Sequence, residues 1–201
     1  EPETQQYAHD IKSSANTLLS LINEILDSSK IESGKMDIIP DNYELSSLLN
    51  DLYNMIIIKA EDKGLQLIFD IDPTLPSEYY GDDIRIRQVI VNLLTNAVKY
   101  TQEGTISLTV TGKTEGDTAI IRYSIKDTGI GIKEEDLGKL FTQFQRLEET
   151  RNRNIEGTGL GMNITQQLLM LMGSELQVKS VYGEGSEFSV CIEQGITNAE
   201  P

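Results

Sequence analysis

The chain predicts an α+β fold, a sheet covered by helices on one face and preceded by a long N-terminal helix. Three observations predict it. Apolar residues recur at helical spacing through the first 36 residues, two pairs of alternating stretches are joined by short glycine-bearing turns, and further helical patterns fall between those pairs. The elements follow in order. Ile11, Ala15, Leu18, Ile22 and Ile25 lie four, three, four and three residues apart, which is the seam of a helix packing on another helix. Leu19, Leu21 and Leu26 widen that stripe, so the helix requires a bundle partner, and no second helix of similar length lies beside it in the sequence. The partner is expected outside this chain. Ser33-Gly34 ends the pattern, with glycine suited to a left-handed helix stop.

From residue 37 the character changes. Leu45, Leu48, Leu49, Leu52 and Ile56 mark a helix ending at Gly64, and Leu65 to Ile71 alternates as a strand does. Residues 82 to 100 give a helix with Ile86, Val89, Ile90, Leu93, Leu94 and Ala97 on its buried side. Strands over 105–113 and 118–126 flank the turn Glu115-Gly116-Asp117. A short helix near 134–142, a polar stretch and a helix over 161–172 follow, and strands over 175–181 and 186–192 close the domain around Tyr182-Gly183-Glu184-Gly185. There is no internal repeat.

Composition removes several classes of function. The length of 201 residues allows one domain with a proper core and one short appendage. A net charge of −15 and a pI near 4.4 exclude a groove that tracks a nucleic-acid backbone, which needs clustered Lys and Arg. The lone cysteine, Cys191, rules out a disulfide framework or cysteine-based zinc site, and its alternating surroundings place it in the core. A Ser-His or Cys-His pair would depend entirely on His9, the single histidine. No apolar run approaches the roughly 18 residues that span a bilayer, and no signal segment opens the chain. The expectation is a cytoplasmic segment without membrane contact, whatever anchors the parent protein.

Two glycine clusters stand out. Asp127-Thr128-Gly129-Ile130-Gly131-Ile132 follows a strand, and Gly157-Thr158-Gly159-Leu160-Gly161-Met162 opens a helix. Glycine admits close approach of backbone amides, and a helix start favours phosphate, although strand ends and helix starts also attract glycine for conformation alone. Neither run has a Gly-Lys-Ser/Thr ending or GxGxxG spacing, so a bound nucleotide would use another scheme. Asn92, Asn96 and Lys99 share a helix face beside the apolar stripe. Asn96 offers a carboxamide oxygen to magnesium, Lys99 a positive charge to phosphates, and Tyr100 an aromatic edge and hydroxyl. Taken singly, these residues are better read as a solvated helix flank.

Their order decides between the readings. Asn92-Leu93-Leu94-Thr95-Asn96-Ala97-Val98-Lys99-Tyr100, then the DTGIGI run, then Leu140-Phe141-Thr142-Gln143-Phe144, then GTGLGM, then Gly183-Glu184-Gly185-Ser186-Glu187-Phe188 resembles the catalytic domain of sensor histidine kinases. These look like the family's asparagine, first glycine, phenylalanine, second glycine and last glycine boxes. The resemblance covers about residues 37–193, with 37–195 as the domain and 196–201 as a tail. Ile22 to Asp27 and Lys30 to Lys35 look like the end of the family's dimerisation helix, so residues 1–36 are expected to be the second helix of a truncated phosphoacceptor domain.

The resemblance implies a two-layer sandwich of the Bergerat type, with a mixed, mostly antiparallel sheet. It implies ATP and magnesium as ligands. Asp127 would accept a hydrogen bond from the adenine amine, and Gly129, Gly131 and Ile132 would lie at the base. Asn96 would hold magnesium, with Asn92 as a further candidate ligand, and Lys99 and Asn92 are the candidates for a catalytic part. Gly157, Thr158, Gly159, Leu160 and Gly161 would border the phosphates, with Tyr100 and Ser186 also at the nucleotide. Residues 143–160 correspond to the family's mobile lid, with Arg146, Arg151 and Arg153 as candidates for steadying the triphosphate and Phe141 and Phe144 as lid anchors.

Related ATPases carry a glutamate four residues before the magnesium asparagine, where this chain has Asn92. A carboxamide is no general base, which favours transfer to a protein nucleophile over hydrolysis. His9-Asp10-Ile11-Lys12-Ser13 imitates the phosphoacceptor box, but Ser14 stands where that box has proline and there is no room for a hairpin. His9 is therefore read as an ordinary residue of the second helix. The implied partners are the phosphoacceptor domain of the same protein, in a homodimer, and a response-regulator receiver domain. The alternatives are an ATPase of the same fold, a nucleotide-responsive scaffold without catalysis, and a serine-directed kinase.

Overall fold

The computed structural model describes residues 2–142 and 159–200. Its elements are α1 (Pro2–Glu32), β1 (Asp41–Glu44), α2 (Leu45–Asp62), β2 (Gln66–Ile71), β3 (Glu78–Gly81), α3 (Asp83–Tyr100), β4 (Thr105–Glu115), β5 (Thr118–Asp127), α4 (Glu134–Leu137), α5 (Gly161–Leu171), β6 (Leu176–Val181) and β7 (Gly185–Asn198). The long first helix ends where the sequence predicts. Gly34 adopts φ 64°, and the amides of Gly34 and Lys35 return to the carbonyls of Ile31 and Lys30. Ile11, Leu18, Leu19, Ile22, Ile25 and Leu26 are all exposed, so the predicted seam is open along α1. The end of the helix is docked, through Ile31 against the core and through Gln88 Nε2 donating to Asp27 Oδ2 at 2.8 Å.

The strands form one mixed sheet in the order β1-β3-β7-β5-β4-β2, with β6 also paired to β7. β2 and β4 run parallel, and the other pairs are antiparallel. Alternation decides the faces. Ile106, Leu108 and Val110 of β4, Ile121, Tyr123 and Ile125 of β5, and Phe188, Val190 and Ile192 of β7 are buried, against Leu48, Leu52 and Ile56 of α2, the apolar stripe of α3, and Ile164 and Leu168 of α5. This is the two-layer sandwich expected from the sequence.

Four details depart from expectation. β1 and β3 are absent from the sequence reading, since each has only four residues, paired from Asp41 opposite Gly81 to Glu44 opposite Glu78. The helix expected over 134–142 is one turn, with Gly138 at its end. β7 runs on to Asn198, into the segment assigned to a tail, because β3 pairs with its last residues and Ile196 packs on the core. Cys191 is exposed rather than buried. It lies between the inward-facing Val190 and Ile192, opposite Arg122 on β5, and so shares the open face of the sheet.

The two halves of this picture differ in stability. Leu94→Ala, at a side chain with no exposure, is expected to lower unfolding free energy by about 2–5 kcal/mol in denaturant titration. Leu18→Ala on the open seam is expected to change it by less than about 0.5 kcal/mol.

Candidate functional site

The site is built on α3. Asp82 caps its start, Oδ1 accepting from the Arg85 amide at 3.0 Å and Oδ2 from the Ile39 amide at 2.9 Å. Ile86, Val89, Ile90, Leu93, Leu94 and Ala97 are buried against the sheet. That orientation leaves Asn92, Asn96, Lys99 and Tyr100 half-buried on the flank, the arrangement their spacing predicts. The ammonium of Lys99 lies 4.9 Å from the Tyr100 ring centroid.

The C-terminal end of α3 is held by a residue that the motifs did not reveal. Lys63 Nζ donates to the carbonyls of Val98, Lys99 and Thr101 at 2.7, 3.1 and 3.3 Å. A cation there satisfies carbonyls that a helix end leaves open and matches the helix dipole. The only cue in the sequence was a lysine closing the α2 pattern just before Gly64.

Asp127 closes β5 with 4% exposure. Its Oδ1 accepts from the Gly129 amide at 2.8 Å. Burial pushes the carboxyl above its ordinary range, and the backbone amides of Gly129 and Ser186 pull it partly back. A Cβ on Gly129 would stand 2.5 Å from the Tyr100 carbonyl, 2.8 Å from Asp127 Oδ1 and 2.9 Å from Thr101 Oγ1. Only glycine brings the loop this close to the end of α3, and Ile130 N donates to the Tyr100 carbonyl at 3.2 Å to hold it there. Thr101 Oγ1 is buried without a hydrogen-bond partner among the described residues. A buried carboxylate beside an unspent hydroxyl suits a ligand that both donates and accepts.

Gly131 also packs closely within the protein. At φ 65°, its missing Cβ would lie 2.1 Å from the Val181 carbonyl, so it seats the loop on the β6–β7 turn. Ile132 N donates to Ser180 Oγ at 2.8 Å, Ser180 Oγ donates to the Gly185 carbonyl at 3.0 Å, and the hydroxyls of Ser180 and Ser186 are 2.9 Å apart. Ser180 thus braces the first glycine cluster, although in sequence it looks like one more polar strand residue. It ties Ser186 to the same loop.

The second glycine cluster meets α3 directly. A Cβ on Gly161 would stand 2.6 Å from Asn92 Oδ1, so this glycine admits the asparagine against the start of α5. Asn92 Nδ2 donates to Thr165 Oγ1 at 2.8 Å, and Asn96 Nδ2 to Met162 Sδ at 3.2 Å. Gly159 has φ 74°, and Leu160 is buried in the core. Asn163 Nδ2 donates to the Phe141 carbonyl at 2.9 Å, joining α5 to the phenylalanine stretch. Phe144, Arg146, Arg151, Arg153, Gly157 and Thr158 lie outside the described residues.

The described residues include no cluster of three or more His, Cys, Asp or Glu able to hold a metal ion. A divalent cation at this site would rest on the carboxamides of Asn96 and Asn92, a sparse donor set that suits a magnesium ion arriving with phosphate and water. The residues present fit a magnesium-bound adenine nucleotide.

Similarity to known proteins agrees with this geometry. The family described as histidine kinase-, DNA gyrase B-, and HSP90-like ATPase matches residues 81–196. Hybrid signal transduction histidine kinase B of Dictyostelium discoideum is 40% identical over 195 residues, covering 96% of this chain and 10% of that protein. Signal transduction histidine-protein kinase BarA of Escherichia coli K12 is 37% identical over 188 residues, covering 93% of this chain and 20% of that protein. The chain thus spans about a tenth to a fifth of these curated relatives. Among solved structures, full-length ShkA in complex with AMPPNP aligns with a TM-score of 0.81 at 26% identity, covering 98% of this chain and 40% of that one. The Acinetobacter baumannii histidine kinase AdeS shares the fold, with a TM-score of 0.67 at 19% identity over 92% of this chain and 81% of that one. With the asparagine helix, the buried aspartate, the first glycine cluster and the described Gly159 to Met162 in place, this chain belongs to the histidine kinase-, DNA gyrase B- and HSP90-like ATPases, as an ATP-binding catalytic domain homologous to those of sensor histidine kinases.

Proposed function

We propose that this domain binds ATP with magnesium and delivers the γ-phosphoryl group to a histidine of a dimerisation domain, from which it passes to a receiver aspartate. The observation that carries the reading is the pairing, through the Tyr100–Ile130 contact, of the buried Asp127 carboxylate with the carboxamide flank of α3. Asp127 accepts from the adenine amine, and the neighbouring Thr101 hydroxyl supplies a second polar contact on the base side. Asn96 holds the magnesium ion with its amide oxygen, with Asn92 as a second oxygen, and Lys99 places its charge toward the phosphates. Magnesium, when bound, neutralises charge on the phosphates and aligns them.

Nothing at position 92 can take a proton from water, so the domain orients the phosphoryl group and leaves nucleophilic attack to an imidazole. Hydrolysis by an ATPase of this fold is the second reading, and Asn92 disfavours it. No helix among the described residues is long and apolar enough to cross a membrane.

Calorimetry with ATP and magnesium tests the base site. Asp127→Asn is expected to weaken binding by about tenfold or more, since a hydrogen bond to a charged group contributes about 1.5–3 kcal/mol. Unchanged affinity would remove the adenine from this position. The same variant carries a pH signature. The folded-state pKa of Asp127 is raised, so its contribution to stability is full on the acid side and is lost as pH rises through that value. Without nucleotide, Asp127→Asn is therefore expected to melt higher than the parent near neutral pH, with the gap closing in acid; a gap that stays constant with pH would contradict the buried-carboxylate assignment.

Phosphotransfer itself is read by joining the domain to a complete helical hairpin carrying a phosphoacceptor histidine. Acid-labile, base-stable label on that histidine is expected, with none on His9 of this chain alone.

A further inference from the structure

A carboxamide has two unlike ends, and only its oxygen can ligate a cation. Which end of Asn96 and Asn92 faces the ligand is therefore as consequential as having asparagine there. Both NH2 groups are occupied by α5. Asn96 Nδ2 lies 3.2 Å from Met162 Sδ, and Asn92 Nδ2 lies 2.8 Å from Thr165 Oγ1 and 4.0 Å from the same sulfur. Thr165 is 2% exposed, and Met162 packs partly buried against the core, so neither acceptor is a loose surface group.

The two acceptors differ in what they can enforce. A threonine hydroxyl accepts or donates, so it would satisfy either end of an amide. A thioether has lone pairs and no proton, so it accepts an N–H and repels a carbonyl oxygen. Turning the Asn96 amide over would set its oxygen against the sulfur and forfeit the hydrogen bond. Met162 is thus the one group of the pair that distinguishes the two orientations of the amide.

We propose that Met162 is a positioning residue for the divalent-cation site, its sulfur holding the Asn96 amide with the oxygen end turned toward the ligand. This rests on Asn96 as a magnesium ligand, as proposed above. It also gives the second glycine cluster a part beyond phosphate binding, since Gly161 admits Asn92 against α5 and the next residue orients Asn96.

The test is ATP binding by calorimetry on the full chain, across a magnesium chloride titration and in EDTA. Met162→Leu conserves volume and removes the acceptor. It is expected to raise the half-saturating magnesium concentration by about fivefold, the factor that one hydrogen bond supplies, while leaving ATP affinity in EDTA unchanged. Asn96→Ala is expected to abolish the magnesium dependence. If Met162→Leu titrates like the parent while Asn96→Ala loses the dependence, positioning by Met162 is overturned and the cation site stands. If Met162→Leu weakens binding equally in EDTA, its role is packing alone and the proposal falls. If Asn96→Ala retains the full dependence, the cation is held elsewhere, and both the site and the proposal fall with it.

Discussion

The packing of α3 on the sheet is the constraint from which the rest follows. One 18-residue helix must bury Ile86, Val89, Ile90, Leu93, Leu94 and Ala97, and burying them fixes the azimuth of Asn92, Asn96 and Lys99. The apolar side supplies the rigidity, and the polar flank inherits it. A hydrophobic contact carries no chemistry of its own, yet it decides where each carboxamide stands relative to the end of β5. The ends of α3 are pinned separately, by Asp82 at the start and Lys63 at the finish. Capping at both ends keeps the last turn, which carries Lys99 and Tyr100, from fraying beside the first glycine cluster.

Glycine has several distinct purposes at this site. Gly129 lets its loop approach the Tyr100 carbonyl and the Asp127 carboxylate, whereas Gly131 lets the same loop settle on the β6–β7 turn. Gly161 makes room for the Asn92 side chain. A glycine motif of this kind is a record of close contacts within the protein as much as with a ligand. The Ser180 hydroxyl completes the brace by bonding to Ile132 and Ser186 together, which binds the first and last glycine clusters into one unit.

Burial of Asp127 carries a cost in stability. Its carboxyl is desolvated, and backbone amides compensate only in part, so the charge is held in readiness at a cost to the empty fold. A desolvated carboxylate and a spare buried hydroxyl at Thr101 are what the proposed base pocket would require. The open seam on α1 is the other unfinished surface. Its exposed Ile11, Leu18, Ile22 and Ile25 form the apolar stripe that a partner helix would cover.

Features that depend on neighbours along the chain were legible before any coordinates. Helical and strand periods, the Gly34 stop, the polar flank of α3 and the order of the glycine clusters are all set by spacings of a few residues, because side-chain direction repeats with the local backbone. Pairings between distant segments were not. The four-residue strands β1 and β3 are too short to show a period, and β7 extends to Asn198 only because β3 is there to receive it. Cys191 faces outward because its neighbours on β7 claim the inner face, a choice of register that alternation alone leaves ambiguous. The bonds of Lys63 to the end of α3 and of Met162 to Asn96 join residues 35 to 66 positions apart. Such contacts carry no signature in one sequence, since each depends on how whole elements dock, and docking is decided by the packed core they share.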